Sequence, residues 1–266
     1  MRTLNPAMDL HAFFDGLARS PQCVLLLDYD GTLAPFHERP ALADLYPAVA
    51  ISLHDLIEQG GTRVVIVSGR ELNDLLPLLP FRRRPEIWGA HGWQRLLPDG
   101  KLVELKPAGA VREKLDEAER LARDLTRLGA RLELKPASVA LHWRGLAPET
   151  AARIRAAAVS SLQPLAAGEA VELMDFDGGL ELRARGHNKH HAVKTVLSET
   201  SGDAVVAYLG DDLTDEDAFA AIQKARGLAV LVRPEPRETR ADLWIQPPRE
   251  LVAFLDRWRE QREARA

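Results

Sequence analysis

Val24-Leu25-Leu26-Leu27-Asp28-Tyr29-Asp30-Gly31-Thr32-Leu33 is the stretch from which the rest of the chain can be read. Four branched apolar residues run into two aspartates one residue apart, and a glycine follows at once. An unbroken apolar run of this length suits a strand buried on both faces. Its polar end suits a tight turn, for which Gly31 supplies the permissive backbone. Strand side chains alternate between faces, but beyond the strand end the turn can swing Asp28 and Asp30 toward one crevice. A calcium loop of the EF-hand type would need further oxygen ligands and a closing Glu, and Phe36, His37 and Pro40 do not supply them.

The same texture recurs outward from this stretch. The apolar run 64–67 ends in Ser68-Gly69-Arg70, 87–88 leads into Gly89-Ala90-His91-Gly92, and 204–209 ends in Gly210-Asp211-Asp212. Residues 228–232 and 243–245 read as two more short strands, and 96–105 as a hairpin about Pro98-Asp99-Gly100. Helical spacing occurs at 8–17, where Leu10, Phe13, Phe14 and Leu17 share a face, and again at 46–59, 71–79, 187–199, 215–224 and 251–258. Apolar strands alternating with helices predict a parallel sheet covered on both faces. From about residue 108 the texture changes. A charged helix over 111–128, alternating runs at 132–135 and 139–143, an alanine-rich helix over 148–162, and strands at 171–174 and 180–183 about Asp177-Gly178-Gly179 predict a small α/β domain. The expected organisation is therefore an α/β parallel-sheet core made of 1–107 and 185–266, with an α/β domain of 108–184 inserted in it.

In an open parallel sheet, ligands bind outside the carboxyl ends of the strands. Three apolar strands of the core end in reactive polar groups: Asp28 and Asp30, then Ser68, then Asp211 and Asp212. Carboxylates gathered in one crevice repel one another unless a cation lies between them. Hard oxygen donors without Cys or His partners favour Mg²⁺ over zinc. His187, His190 and His191 read as a surface cluster, since neither carboxylates nor Cys stand near enough in sequence to complete a zinc site. A net charge of -4 gives no broad attraction to nucleic acid or to an anionic membrane, and no window approaches the length of a membrane span. The lone cysteine, Cys23, opens an apolar strand and reads as a small buried hydrophobe. These features fit a cytoplasmic enzyme.

The string DYDGTL at 28–33 resembles the first motif of haloacid dehalogenase-like phosphatases, SGR at 68–70 the second, Lys189 the third, and GDDLTDEDAF at 210–219 the fourth. GAHG at 89–92, ELK at 133–135, ALHWR at 140–144 and LELR at 180–183 resemble the trehalose-6-phosphate phosphatases among them. That resemblance implies a Rossmann-like core with an inserted α/β cap domain that selects the substrate. It implies catalytic roles for Asp28 (nucleophile forming an aspartyl-phosphate), Asp30 (acid and base), Ser68 and Lys189 (partners of the phosphoryl group). Mg²⁺ would be held by Asp28, the Asp30 backbone carbonyl and Asp211, with Asp215 just outside. Glu133, Lys135 and Glu181 match sugar-binding positions, with Arg70 and His91, and then His142 and Arg144, as further candidates. The substrate implied is a sugar phosphate, with a functional link to a trehalose-phosphate synthase. Phosphatases for sucrose phosphate, glucosylglycerol phosphate or mannosyl-phosphoglycerate are the nearest alternatives, and a non-catalytic sugar-phosphate sensor is a third. Two positions depart from the pattern: His190 stands where the family has glycine, and Trp93 where a small residue is common.

Overall fold

A computed structural model describes residues 1–176, 178–186 and 188–264. From the N-terminus the chain forms β1 (Arg2–Thr3), α1 (Leu10–Arg19), β2 (Cys23–Asp28), α2 (Pro47–Gln59), β3 (Thr62–Val67), α3 (Leu72–Leu75), β4 (Glu86–Gly89), β5 (Gln94–Leu96) and β6 (Leu102–Glu104). There follow α4 (Gly109–Leu125), β7 (Arg131–Lys135), β8 (Ser138–His142), α5 (Pro148–Leu162), β9 (Val171–Phe176) and β10 (Gly179–Ala184). The last part is α6 (Lys189–Ser198), β11 (Val205–Gly210), α7 (Glu216–Lys224), β12 (Leu228–Val232), β13 (Leu243–Ile245) and α8 (Arg249–Glu263). Two compact units result, one of Met1–Val103 with Asn188–Ala266 and one of Glu104–His187. The boundaries expected at 108 and 184 differ from these by three or four residues.

In the first unit the strand order is β1-β13-β12-β11-β2-β3-β4-β5-β6. The strands from β13 to β4 run parallel, while β1 and β5 are antiparallel to their neighbours. The alternation within β2 sets the layers. Cys23, Leu25 and Leu27 join the core formed with α1, α2 and α8, whereas Val24 and Leu26 join the core formed with α6 and α7. Asp28 continues the second phase, so its side chain emerges on the side from which α6 delivers Lys189. The far end of α6 is fastened by charge. Glu86, buried on β4, accepts from Arg63 Nε at 2.9 Å, Arg95 Nε at 2.8 Å and Trp88 Nε1 at 2.8 Å. The same two arginines donate to Glu199, just past the helix, at 2.7 Å. Those hydrogen bonds, Arg95's first, hold the Glu199 carboxyl down at about 2.

In the second unit a four-stranded antiparallel sheet, β7-β8-β10-β9, packs one face on α4 and α5 through Val139, Leu141, Leu180 and Leu182. Asp177, expected in the turn between β9 and β10, lies outside the described residues. One local expectation is corrected, and one strand was not foreseen. The helix expected over 71–79 stops at Leu75 and tightens into a 3-10 turn over Leu76–Leu78, because Pro77 brings no N–H to continue the α-helical hydrogen bonds. Strand β1, only two residues long, carries no periodicity from which it could be read.

Removing the Glu86 carboxylate takes the acceptor from Arg63 Nε, Arg95 Nε and the Trp88 indole N–H, while both guanidinium groups keep Glu199. Glu86→Ala should therefore lower the unfolding free energy by about 2–3 kcal/mol in denaturant titration. A loss under about 1 kcal/mol would show that the network does not fasten these strands to α6.

Candidate active site

The polar ends of β2, β3 and β11 meet at the carboxyl edge of the sheet. Lys189, the first residue of α6 and buried, places Nζ 2.7 Å from Asp28 Oδ1 and 2.9 Å from Asp215 Oδ1. Asp215 is fully buried and saturated: its Oδ1 also accepts from the Tyr208 hydroxyl at 2.6 Å, and its Oδ2 from the backbone N–H groups of Asp211 and Asp212 at 3.0 Å. Asp28, Asp211 and Asp215 each offer a carboxylate oxygen, all within 4.8 Å of one another. Among the described residues, Asp28 Oδ2, Asp211 Oδ1 and Thr32 Oγ1 are buried and find no hydrogen-bond partner. Burial, with Asp215 and Asp211 adding to it and Lys189 opposing it, pushes the Asp28 carboxyl well up. Burial likewise raises Asp211 to about 6. Lys189 stays charged despite its burial because Asp28 and Asp215 face it.

Three carboxylates against one ammonium, with two buried oxygens lacking partners, suit a divalent cation bound by hard oxygen donors. Asp215, expected just outside the metal, lies in the same group of carboxylates, with both its oxygens already taken by Lys189, Tyr208 and two backbone N–H groups. The Asp30 side chain points elsewhere. Both its oxygens are held by Arg70, through Nη2 at 2.6 Å and Nε at 2.7 Å, while Arg70 Nη1 donates to the Pro40 carbonyl at 2.6 Å. Arg70, expected to contact substrate, thus makes a two-pronged ion pair with Asp30. Ser68 is buried, with Oγ accepting from the Arg70 N–H at 3.1 Å.

Missing side chains make this packing possible. Gly31 has φ +81°, and a Cβ on it would lie 2.2 Å from Asp211 Oδ2. A Cβ on Gly69 would lie 2.5 Å from the His91 ring, so the SGR and GAHG loops can stack only without one. Ala90 and His91 themselves adopt positive φ, held by N–H bonds to the carbonyls of Arg70 and Ser68 at 2.6 and 3.1 Å. The two departures from the family pattern are accommodated without strain. His190 is helical and its Nδ1 donates to the Asp217 carbonyl at 2.8 Å, and Trp93 is buried with right-handed helical backbone. Of the histidine cluster, His187 lies outside the described residues, and His191 meets Trp88 edge-on.

In the second unit Glu133, Lys135 and Glu181 come together on one sheet face. Lys135 Nζ lies 3.6 Å from Glu133 and 3.4 Å from Glu181, Ser138 Oγ donates to Glu181 at 2.6 Å, and His142 Nε2 meets Glu133 at 2.5 Å. Burial, aided by Arg131, lowers the His142 pKa despite that carboxylate.

A family model described as trehalose-phosphatase matches residues 26–244, most of the chain. The chain belongs to that family. A trehalose-phosphate phosphatase of Mycobacterium marinum is 32% identical over 93% of this chain, which spans 64% of that relative's length. The C-terminal domain of a Candida albicans trehalose-6-phosphate phosphatase shares the fold, with TM-score 0.72, 22% identity, and 98% and 99% of the two chains covered. So does the C-terminal domain of a C. albicans trehalose synthase regulatory protein, at TM-score 0.69 and 16% identity over 96% of this chain and 100% of that one. Across the family's matched region, several supporting residues escaped the sequence reading. Tyr208 is hidden inside an apolar strand. Arg237 and Arg233 lie more than twenty residues beyond Asp211, yet both donate to its carbonyl, at 3.4 and 3.2 Å, and Arg237 also to that of Asp212 at 2.6 Å. The DGT triplet was the only signal for Thr32.

The raised Asp211 pKa sets a pH dependence. The metal-free fold binds this proton more tightly than the unfolded chain, so the stabilisation it gives is lost as pH rises from the ordinary 3.8 through about 6. Cation binding needs the same proton gone. Mg²⁺ should therefore raise the melting temperature more at about pH 7.5 than at about pH 5, and an equal shift at both would exclude Asp211 as a ligand.

Proposed function

We propose that this chain is a Mg²⁺-dependent phosphatase releasing trehalose and phosphate from trehalose 6-phosphate. The observation that carries the reading is the buried Asp28–Lys189 pair with unpartnered carboxylate oxygens on Asp28 and Asp211 beside it. An oxygen of Asp28 attacks phosphorus in line, and the bond from phosphorus to the sugar oxygen breaks. Asp30 gives that oxygen a proton, then takes one from the water that cleaves the aspartyl-phosphate. Lys189 offsets the charge spreading over the transferring group, and Ser68 donates its hydroxyl to a phosphoryl oxygen. Asp28, Asp211 and the Asp30 carbonyl would hold the Mg²⁺, with Asp215 just outside, and the ion when bound lets an anion approach a dianion. Arg70 keeps Asp30 in one rotamer through its two-pronged ion pair. Recognition falls to the inserted unit, where Glu133, Lys135 and Glu181 offer charged hydrogen-bond partners to hydroxyls.

On this reading a trehalose-phosphate synthase would supply the substrate, and the reaction would run in the cytoplasm. No helix among the described residues is long and apolar enough to cross a membrane. The fold shared with a regulatory domain keeps a sugar-phosphate sensor as the second reading, but Asp28, Asp30, Lys189 and Asp211 are all in place.

Two experiments test this. Phosphate release from a panel of sugar phosphates should favour trehalose 6-phosphate, vanish with chelator, and fall at least about a thousandfold in Asp28→Asn. Preference for another sugar phosphate would overturn the substrate assignment while keeping the chemistry, and tight binding without release would favour the sensor. Secondly, Glu133→Ala and Lys135→Ala should cost about tenfold or more in kcat/KM for trehalose 6-phosphate and spare p-nitrophenyl phosphate. Equal losses on both substrates would remove recognition from the inserted unit.

A further inference from the structure

The inserted sheet presents a face whose composition goes beyond the charged cluster. Its register aligns three rows on that face. Arg131, His142, Gly179 and Phe176 form one, Glu133, Ala140, Glu181 and Met174 the next, and Lys135, Ser138, Arg183 and Glu172 the third. Of the intervening residues, Leu132, Val139, Leu141, Leu173, Leu180 and Leu182 turn inward to α4 and α5. Small side chains therefore occupy the middle, with Ala140 at the centre. Glu133, Glu181, His142, Ser138 and Lys135 surround it.

Along the β9 edge the face turns apolar. Phe176 and Met174 are 38% and 39% exposed and belong to no core cluster. Phe176 is not a loose surface ring. It reaches across Gly179, where a Cβ would lie 1.9 Å from its Cζ, and meets the His142 ring edge-on with centroids 5.1 Å apart. His142 in turn is bound to Glu133. The glycine thus opens room for an aromatic ring to lie beside the polar cluster, at the expense of leaving that ring in water.

A pyranose has hydroxyls around its rim and C–H groups on its faces, so a site for it needs hydrogen-bond partners around an apolar surface. We propose that Phe176, seated over Gly179 and flanked by Met174, is a specificity-determining residue that stacks on a hexopyranose ring of the substrate while the Glu133–Lys135–Glu181 cluster takes its hydroxyls. This rests on the sugar-phosphatase reading above. Phe176 takes no part in the chemistry and acts on sugar recognition alone.

The test uses the full chain with Phe176→Ala, Phe176→Trp and Gly179→Ala. Phe176→Ala should raise KM for trehalose 6-phosphate about tenfold with kcat within about twofold, and leave p-nitrophenyl phosphate turnover unchanged. Phe176→Trp should restore KM, whereas Gly179→Ala, which displaces the ring without deleting it, should raise KM as the alanine does. An unaltered KM in Phe176→Ala, or an equal loss on both substrates, would overturn the assignment. Calorimetric titration with trehalose reads the same surface without turnover. If the unmodified chain hydrolyses no sugar phosphate, the sugar-phosphatase reading fails, and calorimetry still decides the role of Phe176: about tenfold weaker binding in Phe176→Ala supports it, and unchanged or absent binding by the unmodified chain overturns it.

Discussion

Burying three carboxylates around one ammonium is the constraint on which the first unit depends. Each ion taken out of water costs on the order of several kcal/mol, and like charges side by side add to it. The fold offsets this unevenly. Asp215 is satisfied completely, by Lys189, Tyr208 and two backbone N–H groups. Asp28 has Lys189 on one oxygen, and Asp28 Oδ2 and Asp211 Oδ1 are left without partners. The imbalance is local, and a divalent cation is what would remove it. Lys189 serves both sides of this arrangement, so the position of α6 matters as much as the carboxylates themselves.

That position is set from the far end of the helix. Glu86, Arg63, Arg95 and Glu199 tie strands β3, β4 and β5 to the residue that follows α6, ten positions beyond Lys189. At the near end, close approach of backbone does the rest. Gly31, Gly69 and Gly210 stand where a Cβ would collide with Asp211, His91 or Asp215. Two non-glycine residues, Ala90 and His91, accept positive φ so that their loop can bond to the carbonyls of Ser68 and Arg70. Strain of this kind persists only where neighbours over-determine it, as these paired loops do.

What the sequence made legible follows the same division. Apolar runs 24–27, 64–67 and 204–209 could be read as strands because both faces are buried, and strand direction alone brought Asp28, Ser68 and Asp211 to one edge. Lys189 was reachable only through the resemblance, since a lysine at the start of a helix has no periodic signature. The two-pronged pairing of Arg70 with Asp30 was not legible, because it depends on side-chain torsions in two turns forty residues apart. Arg233 and Arg237 act on backbone carbonyls, which leave no trace in sequence at all. Phe176 was invisible for another reason: β9 was read as ending at Met174, and only the register with Gly179 gives the ring its place.

The two units thus solve opposite electrostatic problems. In the first, negative charge is left in excess in a buried place, which favours a cation. In the second, Glu133, Glu181, Lys135, Ser138 and His142 already answer one another. On the proposed reading, a sugar there would gain little from net charge and most from exchanging these contacts for hydroxyl hydrogen bonds of comparable strength. Discrimination on such a face would then come from shape and apolar contact, since hydrogen-bond partners alone would accept water as readily as a sugar. Phe176 at its edge would supply the apolar surface that the polar cluster lacks.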